Sequence, residues 1–82
     1  MVKVYSKNFC PFCVKAKSLL TSLGVEFEEI DVTNNIDLLL EISKKSGFKT
    51  VPQIFVGEKC LGGFSDIEAL HNDGKLMEEL NA

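Results

Sequence analysis

The sequence predicts an α/β fold in which a four-stranded mixed β-sheet has helices packed on both faces. Two observations support this prediction. The β-rich segment Val2–Ser6 is followed by apolar residues at helical spacing and then by a second strand-like segment, which implies a parallel strand pair with a right-handed crossover. Further along, the strand-like segment Gln53–Val56 ends at Gly57, just before another short strand, and this predicts an antiparallel hairpin. The predicted element order is β-α-β-α-β-β-α.

The first helix is predicted over residues 11–23, after a short loop that follows the first, central strand. Pro11 suits the first turn, where its missing N–H would have no partner, and Gly24 suits the exit. The apolar residues recur at the helical interval, at Ala16, Leu19, Leu20 and Leu23. A second strand is predicted over residues 26–32.

The second helix is predicted over residues 36–46. Thr33, Asn34 and Asn35 supply capping side chains before it, and Gly47 closes it. The apolar residues of this segment form a broad stripe, which we expect to pack on the sheet. The stripe consists mainly of Ile36, Leu39 and Leu40.

The third helix is predicted to begin at Ser65, after a short fourth strand over residues 60–62. Ser65 and Glu68 match a capping box, in which a serine caps the helix and a glutamate lies three residues later. The helix is predicted to break at Asp73–Gly74 and to resume as far as Leu80.

Composition limits the class of function. The 82 residues predict a single domain over 1–82, which we expect to be a monomer. The net charge of −3 gives no sign of a nucleic-acid surface. The chain opens on a strand and its aliphatic runs are short, so we expect neither a secretion signal nor a membrane span. Three cysteines in such a chain predict catalytic thiols in the cytoplasm.

The segment that determines the chemistry is Asn8–Cys13, where two cysteines lie three residues apart at the start of a predicted helix. Free N–H groups and the positive end of the helix dipole point toward Cys10 and stabilise its thiolate. Cys13 lies one turn inside the helix and should be a buried thiol. A Cys-x-x-Cys pair after a strand is typical of a redox-active dithiol.

Two other uses of the cysteine pair are weaker. Structural zinc requires four ligands, and the only further soft ligands are Cys60 and His71, so we expect no metal. A structural disulfide is unusual in a cytosolic chain. Cys60 itself is expected to be a small buried apolar residue.

The whole chain resembles the dithiol glutaredoxins of the short bacterial type. The matching pieces are Lys7 three residues before Cys10, the Cys10–Cys13 pair, the segment Thr50–Phe55, and Gly62–Gly63 followed by Ser65–Asp66. The resemblance implies the thioredoxin fold, with sheet order 2-1-3-4 and a cis peptide between Val51 and Pro52. One departure is Phe12, because the family's commonest active site has tyrosine there.

The resemblance also implies the reaction. Cys10 acts as nucleophile and Cys13 as resolving thiol in the reduction of glutathione mixed disulfides and protein disulfides, with cell redox homeostasis and electron donation as the cellular role. Glutathione is the electron donor and no cofactor is tightly bound. Ribonucleotide reductase is a family expectation for the protein partner.

Glutathione carries two carboxylates, an amine and peptide groups, and each has a predicted partner. The glycine carboxylate would pair with Lys7 and Lys49. The backbone of Val51 would bind the cysteine part as an added strand does. The helix start at Ser65 would bind the γ-glutamyl carboxylate and Asp66 the γ-glutamyl amine. The full set of predicted contacts is Lys7, Phe12, Lys49, Thr50, Val51, Pro52, Gly63, Phe64, Ser65 and Asp66.

Two alternative functions compete with this interpretation. One is a redoxin reduced by a flavin reductase, and such relatives tend to lack Lys7 and the Gly63–Asp66 motif. The other is an iron–sulfur carrier that bridges two subunits through Cys10 and glutathione. Carriers of that kind usually have glycine and serine where this chain has Pro11 and Cys13.

Overall fold

The computed structural model describes residues 1–81, which form four strands and four helices. In chain order these are β1 (Val2–Ser6), α1 (Pro11–Ser22), β2 (Phe27–Asp31), α2 (Ile36–Ser46), β3 (Gln53–Val56), β4 (Lys59–Gly62), α3 (Phe64–Asn72) and α4 (Leu76–Leu80). The break after Asn72 is the predicted one, and it separates α3 from α4. No helix in the described part of the chain is long and apolar enough to cross a bilayer.

The strands form one mixed sheet in the order β2-β1-β3-β4. β1 is central and pairs in parallel with β2, from Val2 opposite Phe27 to Ser6 opposite Asp31. β3 is antiparallel to both β1 and β4. The predicted sheet order is confirmed, and the ends of β1 and β3 that lie beside each other bring the segments around Cys10 and Val51 together.

Helices cover both faces of the sheet, as predicted. Alternate residues of β1 point to opposite faces, so Val4 is buried against α1, α3 and α4, while Tyr5 is buried against α2. The larger core includes Leu20, Ile54 and Ile67. It holds α1 and α3 against the same face, which places the starts of both helices near one edge of the molecule.

The ends of α2 follow from local side-chain chemistry. The Asn35 side chain accepts a hydrogen bond from the backbone N–H of Leu38 over 3.1 Å, which caps the first turn. Gly47 ends the helix with φ of 81°, a left-handed conformation that glycine adopts at little cost. The predicted bounds, 36–46, are confirmed.

The start of α3 differs from the prediction. The helix begins at Phe64, and its cap is Gly63 rather than Ser65. The carboxylate of Asp66 accepts the backbone N–H of Gly63 over 2.9 Å, so the predicted capping box of Ser65 and Glu68 is wrong. The extended conformation of Gly63 and the reach of Asp66 determine where the helix begins, and the Ser-x-x-Glu pattern does not show either.

The stripe on α2 also differs from the expectation. Leu39 and Ile42 are buried against the sheet, whereas Ile36 and Leu40 are 61% and 54% exposed. The sheet contacts only one narrow side of the helix, and residues at positions 36 and 40 lie together on the neighbouring side. The prediction that the broad stripe packs on the sheet holds for Leu39 but not for these two residues.

Candidate active site

Cys10 is the residue that caps α1. Its extended backbone, with φ of −114° and ψ of 100°, directs the side chain back over the first turn, where Sγ accepts the backbone N–H of Cys13 over 3.2 Å. The same Sγ lies 4.0 Å from the carbonyl oxygen of Val51. The sulfur is half-buried, so a disulfide substrate can approach it between the helix start and the edge formed by Val51.

Cys13 lies one helical turn deeper and is fully buried, as the helical spacing predicts. Burial, together with the hydrogen bond and charge of Cys10, raises the pKa of the Cys13 thiol to about 12. The backbone N–H of Lys7 and the positive charge of Lys17 act in the opposite direction. The two cysteines therefore have different environments, one open to a partner disulfide and the other a protonated thiol behind it.

A groove of about 300 Å³ opens beside the cysteine pair. Its lining residues are Phe12, Phe48, Thr50, Val51, Pro52, Gly63, Phe64, Ser65 and Asp66. Except for Phe48, these are the predicted contacts for a glutathione-like ligand, now brought together from three separate segments. The peptide between Val51 and Pro52 is cis, as expected.

Aromatic rings form one wall of the groove. The rings of Phe12 and Phe64 lie 6.3 Å apart between centroids, and the Lys15 ammonium lies 5.2 Å and 6.0 Å from their respective centroids. These distances are typical of a cation–π contact. Phe48 was not predicted as a contact, although an apolar residue two positions before Thr50 is the signal that could have indicated it.

The two predicted lysine contacts lie outside the residues that line the groove. Lys7 lines a second cavity on the other side of the cysteine pair, and Lys49 lines a third cavity beside α2. Both side chains are exposed. Their predicted pairing with a carboxylate stays a prediction.

Known proteins of similar sequence agree with this arrangement of the two cysteines and the groove. A family model described as Glutaredoxin matches residues 2–61 of the chain. The chain belongs to the glutaredoxin family. A glutaredoxin of Pseudomonas aeruginosa is 43% identical over 81 residues, which span 99% of this chain and 96% of that protein. Glutaredoxin 3 of Escherichia coli is 44% identical over 75 residues, spanning 92% of this chain and 90% of that protein.

Solved glutaredoxin structures share the fold. A buckwheat glutaredoxin–glutathione complex has a TM-score of 0.89 at 31% identity, covering 98% of this chain and 76% of that one. The solution structure of a glutaredoxin from Brucella melitensis has a TM-score of 0.85 at 43% identity, covering 96% of this chain and 86% of that one. Glutaredoxins are thiol oxidoreductases, and the fold of this chain is the thioredoxin fold with the predicted sheet order.

The second cavity of this glutaredoxin, about 510 Å³ in volume, is lined by Lys17, Glu29 and Asp31 as well as by the predicted contact Lys7. The carboxylate of Glu29 accepts the Lys17 ammonium over 2.7 Å and the hydroxyl of buried Ser6 over 2.8 Å. These two bonds lower the pKa of Glu29 below its ordinary value. The three residues come from different elements, so no local pattern indicates the cluster.

Cys60 lies on β4, away from Cys10 and Cys13, and packs against the smaller core between the sheet and α2. It is half-buried, and burial raises the pKa of its thiol. Its Sγ accepts the backbone N–H of Gly62 over 3.3 Å, so Cys60 is less buried than predicted and its sulfur has a polar partner. Within residues 1–81 no three His, Cys, Asp or Glu side chains are grouped so that they could hold a metal ion.

Proposed function

We propose that this chain is a glutathione-dependent thiol–disulfide oxidoreductase that reduces glutathione mixed disulfides and protein disulfides. One observation supports this most strongly: half-exposed Cys10 lies between a helix start and the backbone of Val51, while Cys13 is buried one turn behind it. Membership of the glutaredoxin family supports the same activity, and the buckwheat relative is a complex with glutathione.

Glutathione would bind in the groove with its cysteine part along the backbone of Val51. The free N–H groups at the start of α3, around Ser65, would bind the γ-glutamyl carboxylate. Asp66 would bind the amine, and the exposed ammonium groups of Lys7 and Lys49 would pair with the glycine carboxylate. In this pose the glutathione sulfur faces Cys10.

The reaction begins when the Cys10 thiolate attacks the glutathione sulfur of a mixed disulfide. A bond forms between Cys10 and glutathione, the original S–S bond breaks, and the substrate thiolate leaves and takes a proton from solvent. The thiolate of a second glutathione molecule then attacks the adduct, which releases glutathione disulfide and regenerates the Cys10 thiolate. Overall, the mixed disulfide and one glutathione thiol become the substrate thiol and glutathione disulfide, so atoms and electrons balance.

Protein disulfides follow a branch that uses the second thiol. After Cys10 has formed a mixed disulfide with the protein, the Cys13 thiol loses its proton and attacks Cys10. The Cys10–Cys13 bond forms as the bond to the substrate breaks. Two glutathione molecules then reduce the internal disulfide.

The cellular setting is part of the proposal. We propose one glutaredoxin domain over residues 1–82, acting as a monomer in the cytoplasm, because free thiols persist in a reducing compartment. Its protein partners are glutathionylated and disulfide-containing proteins.

The test is turnover of a glutathionylated peptide with glutathione, glutathione reductase and NADPH. We expect Cys10→Ser to abolish activity and Cys13→Ser to retain it, because only Cys10 attacks the mixed disulfide. Cys60→Ser is the matched control, and it should match the unsubstituted chain. An unsubstituted protein that is inactive with glutathione but is reduced by a thioredoxin reductase would overturn the proposal in favour of the redoxin alternative.

A further inference from the structure

The cavity behind the cysteine pair contains an organised charge next to the buried thiol. Lys17 follows Cys13 by one turn on α1, so both side chains lie on the same side of the helix. The Lys17 ammonium donates to Glu29 over 2.7 Å, and Glu29 also accepts the hydroxyl of Ser6, a side chain that is only 2% exposed. The ammonium group is therefore held in one place, in a cavity that Cys13 also lines.

Cys13 needs such a group because it must become a thiolate to resolve the mixed disulfide. Burial opposes that ionisation, whereas the Lys17 charge and the Lys7 backbone N–H favour it. The charged or titratable groups that line this cavity are Cys10 at the cap of α1, Lys17 on α1, Lys7 after β1, and Glu29 and Asp31 on β2.

The two carboxylates of the cavity already have partners, which lie on α1 and β1 for Glu29 and in the loop after β2 for Asp31. The Glu29 carboxylate accepts hydrogen bonds from Lys17 and Ser6, and Asp31 accepts the backbone N–H of Thr33 over 2.8 Å. Of the two lysines that line this cavity, Lys7 acts on the thiol of Cys13 through its backbone N–H, and Lys17 acts through its side-chain charge.

We propose that Lys17 is a positioning residue for the resolving step, because its ammonium group stabilises the Cys13 thiolate. Glu29 and Ser6 hold that ammonium group in place. The inference rests on the proposed function, since it concerns the step in which Cys13 attacks Cys10.

The step balances without a further reactant. With glutathione bound to Cys10, the Cys13 thiol gives its proton to water in the cavity. The Cys13 thiolate attacks Cys10, the internal disulfide forms, and the bond between Cys10 and glutathione breaks. Glutathione leaves as a thiolate and takes a proton from solvent.

The test measures single-turnover release of glutathione from glutathionylated Cys10 over a range of pH. We expect Lys17→Met to slow release about fivefold at neutral pH and to shift the pH profile upward, since the loss of one nearby charge raises a thiol pKa by up to about one unit. Lys17→Arg should restore most of the rate. Lys59→Met, which removes a surface ion pair of similar length with Glu79, is the matched control.

Two further variants separate electrostatics from structural damage. In a Cys13→Ser background, Lys17→Met should leave turnover with glutathione unchanged, and an equal loss there would overturn the inference. The double variant Lys17→Met with Glu29→Gln leaves no unpaired carboxylate, so it should stay as slow as Lys17→Met. Recovery of the rate in the double variant would instead assign the effect to unpaired Glu29.

A last measurement does not depend on the proposed function. In a Cys10→Ser background, Lys17→Met should slow alkylation of Cys13 by iodoacetamide about fivefold at mildly alkaline pH. An unchanged alkylation rate overturns the inference and leaves the proposed function standing. If the unsubstituted protein forms no internal disulfide, the dithiol branch fails and the inference about its resolving step fails with it, even where alkylation slows.

Discussion

Two cavities lie on either side of the cysteine pair, and different groups form their walls. The groove on the Val51 side is lined by aromatic rings, a cis-prolyl backbone and a helix start. The cavity on the Lys17 side is lined by charged side chains and the buried thiol. Backbone and aromatic groups recognise shape and do not titrate, whereas a held ammonium group acts on the ionisation of its neighbour.

The difference implies a division of work between the two sides. Substitutions in the groove should change how well glutathione binds and leave the ionisation of Cys13 alone. Substitutions of Lys17 and Glu29 in the charged cavity should change the resolving step or the pH dependence and leave glutathione binding alone.

The largest effect is expected from Gly62→Ala, directly before the groove residue Gly63. Gly62 has φ of 110°, and an added Cβ would clash with the Asp66 carboxylate. We expect a loss of about 3 kcal/mol in the free energy of unfolding, measured with urea, because strain and displacement of Asp66 act together. Gly57→Ala is the control, since φ there is also positive, at 59°, but the space is open. Equal losses for both variants would show that the contact with Asp66 does not matter.

The next effect concerns Asp66→Ala. The substitution removes the acceptor of the Gly63 N–H and the predicted partner of the γ-glutamyl amine. We expect the KM for glutathione to rise about tenfold, as for loss of one charged hydrogen bond, and the free energy of unfolding to fall by about 1 kcal/mol. Asp37→Ala, in the first turn of α2 on the other face, should leave KM unchanged. A loss of stability without a change in KM would make Asp66 a capping residue only.

A smaller effect is expected from Phe12→Ala. Phe12 is 57% exposed, so stability should change by less than about 0.5 kcal/mol. The KM for glutathione should rise about threefold, because one wall of the groove loses its ring. Phe12→Tyr should restore binding. Phe9→Ala removes a fully exposed ring that lies outside the groove, and a rise in KM for that control would contradict the assignment of the groove.

The smallest effect is the pH dependence of the pair formed by Lys17 and Glu29. The hydrogen bond from Lys17, followed by that from Ser6, lowers the pKa of Glu29 below its ordinary value of 4.5. The stability that the ionised Glu29 carboxylate contributes is therefore fully present above pH 4.5 and is lost as the pH falls through the lowered pKa. The pair is partly exposed, so its contribution should be below about 1 kcal/mol.

Urea unfolding of the unsubstituted chain and Lys17→Met between about pH 7 and pH 3 measures this contribution. The difference in free energy of unfolding should be constant near neutral pH and shrink as the pH becomes acidic. A difference that grows toward acidic pH would mean that Lys17 does not lower the pKa of Glu29.

Much of the fold could be predicted because local chemistry determines it. The bounds of α2 follow from Asn35 and Gly47, and the contrast between half-buried Cys10 and fully buried Cys13 follows from helical spacing. Hydrophobic periodicity does not determine the order of the strands in the sheet. That order was predicted from the family resemblance alone.

The parts that could not be predicted depend on contacts between distant residues. Ser6 and Glu29 are 23 residues apart, and only the parallel pairing of β1 and β2 brings them together beneath α1. The start of α3 depends on the conformation of Gly63 rather than on the Ser65 pattern. The exposure of Leu40 depends on how α2 is rotated against the sheet.

The sulfur of Cys10 is also the acceptor that caps α1, and this ties the covalent state of the protein to its own folding. A thiolate is a strong acceptor for the Cys13 N–H, and a disulfide sulfur is a weak one. A side-chain cap contributes about 1 kcal/mol, so each adduct on Cys10 weakens the first turn by about that amount. Thermodynamic reciprocity requires the folded helix to disfavour the adduct by the same free energy, which is about a fivefold bias toward the reduced state.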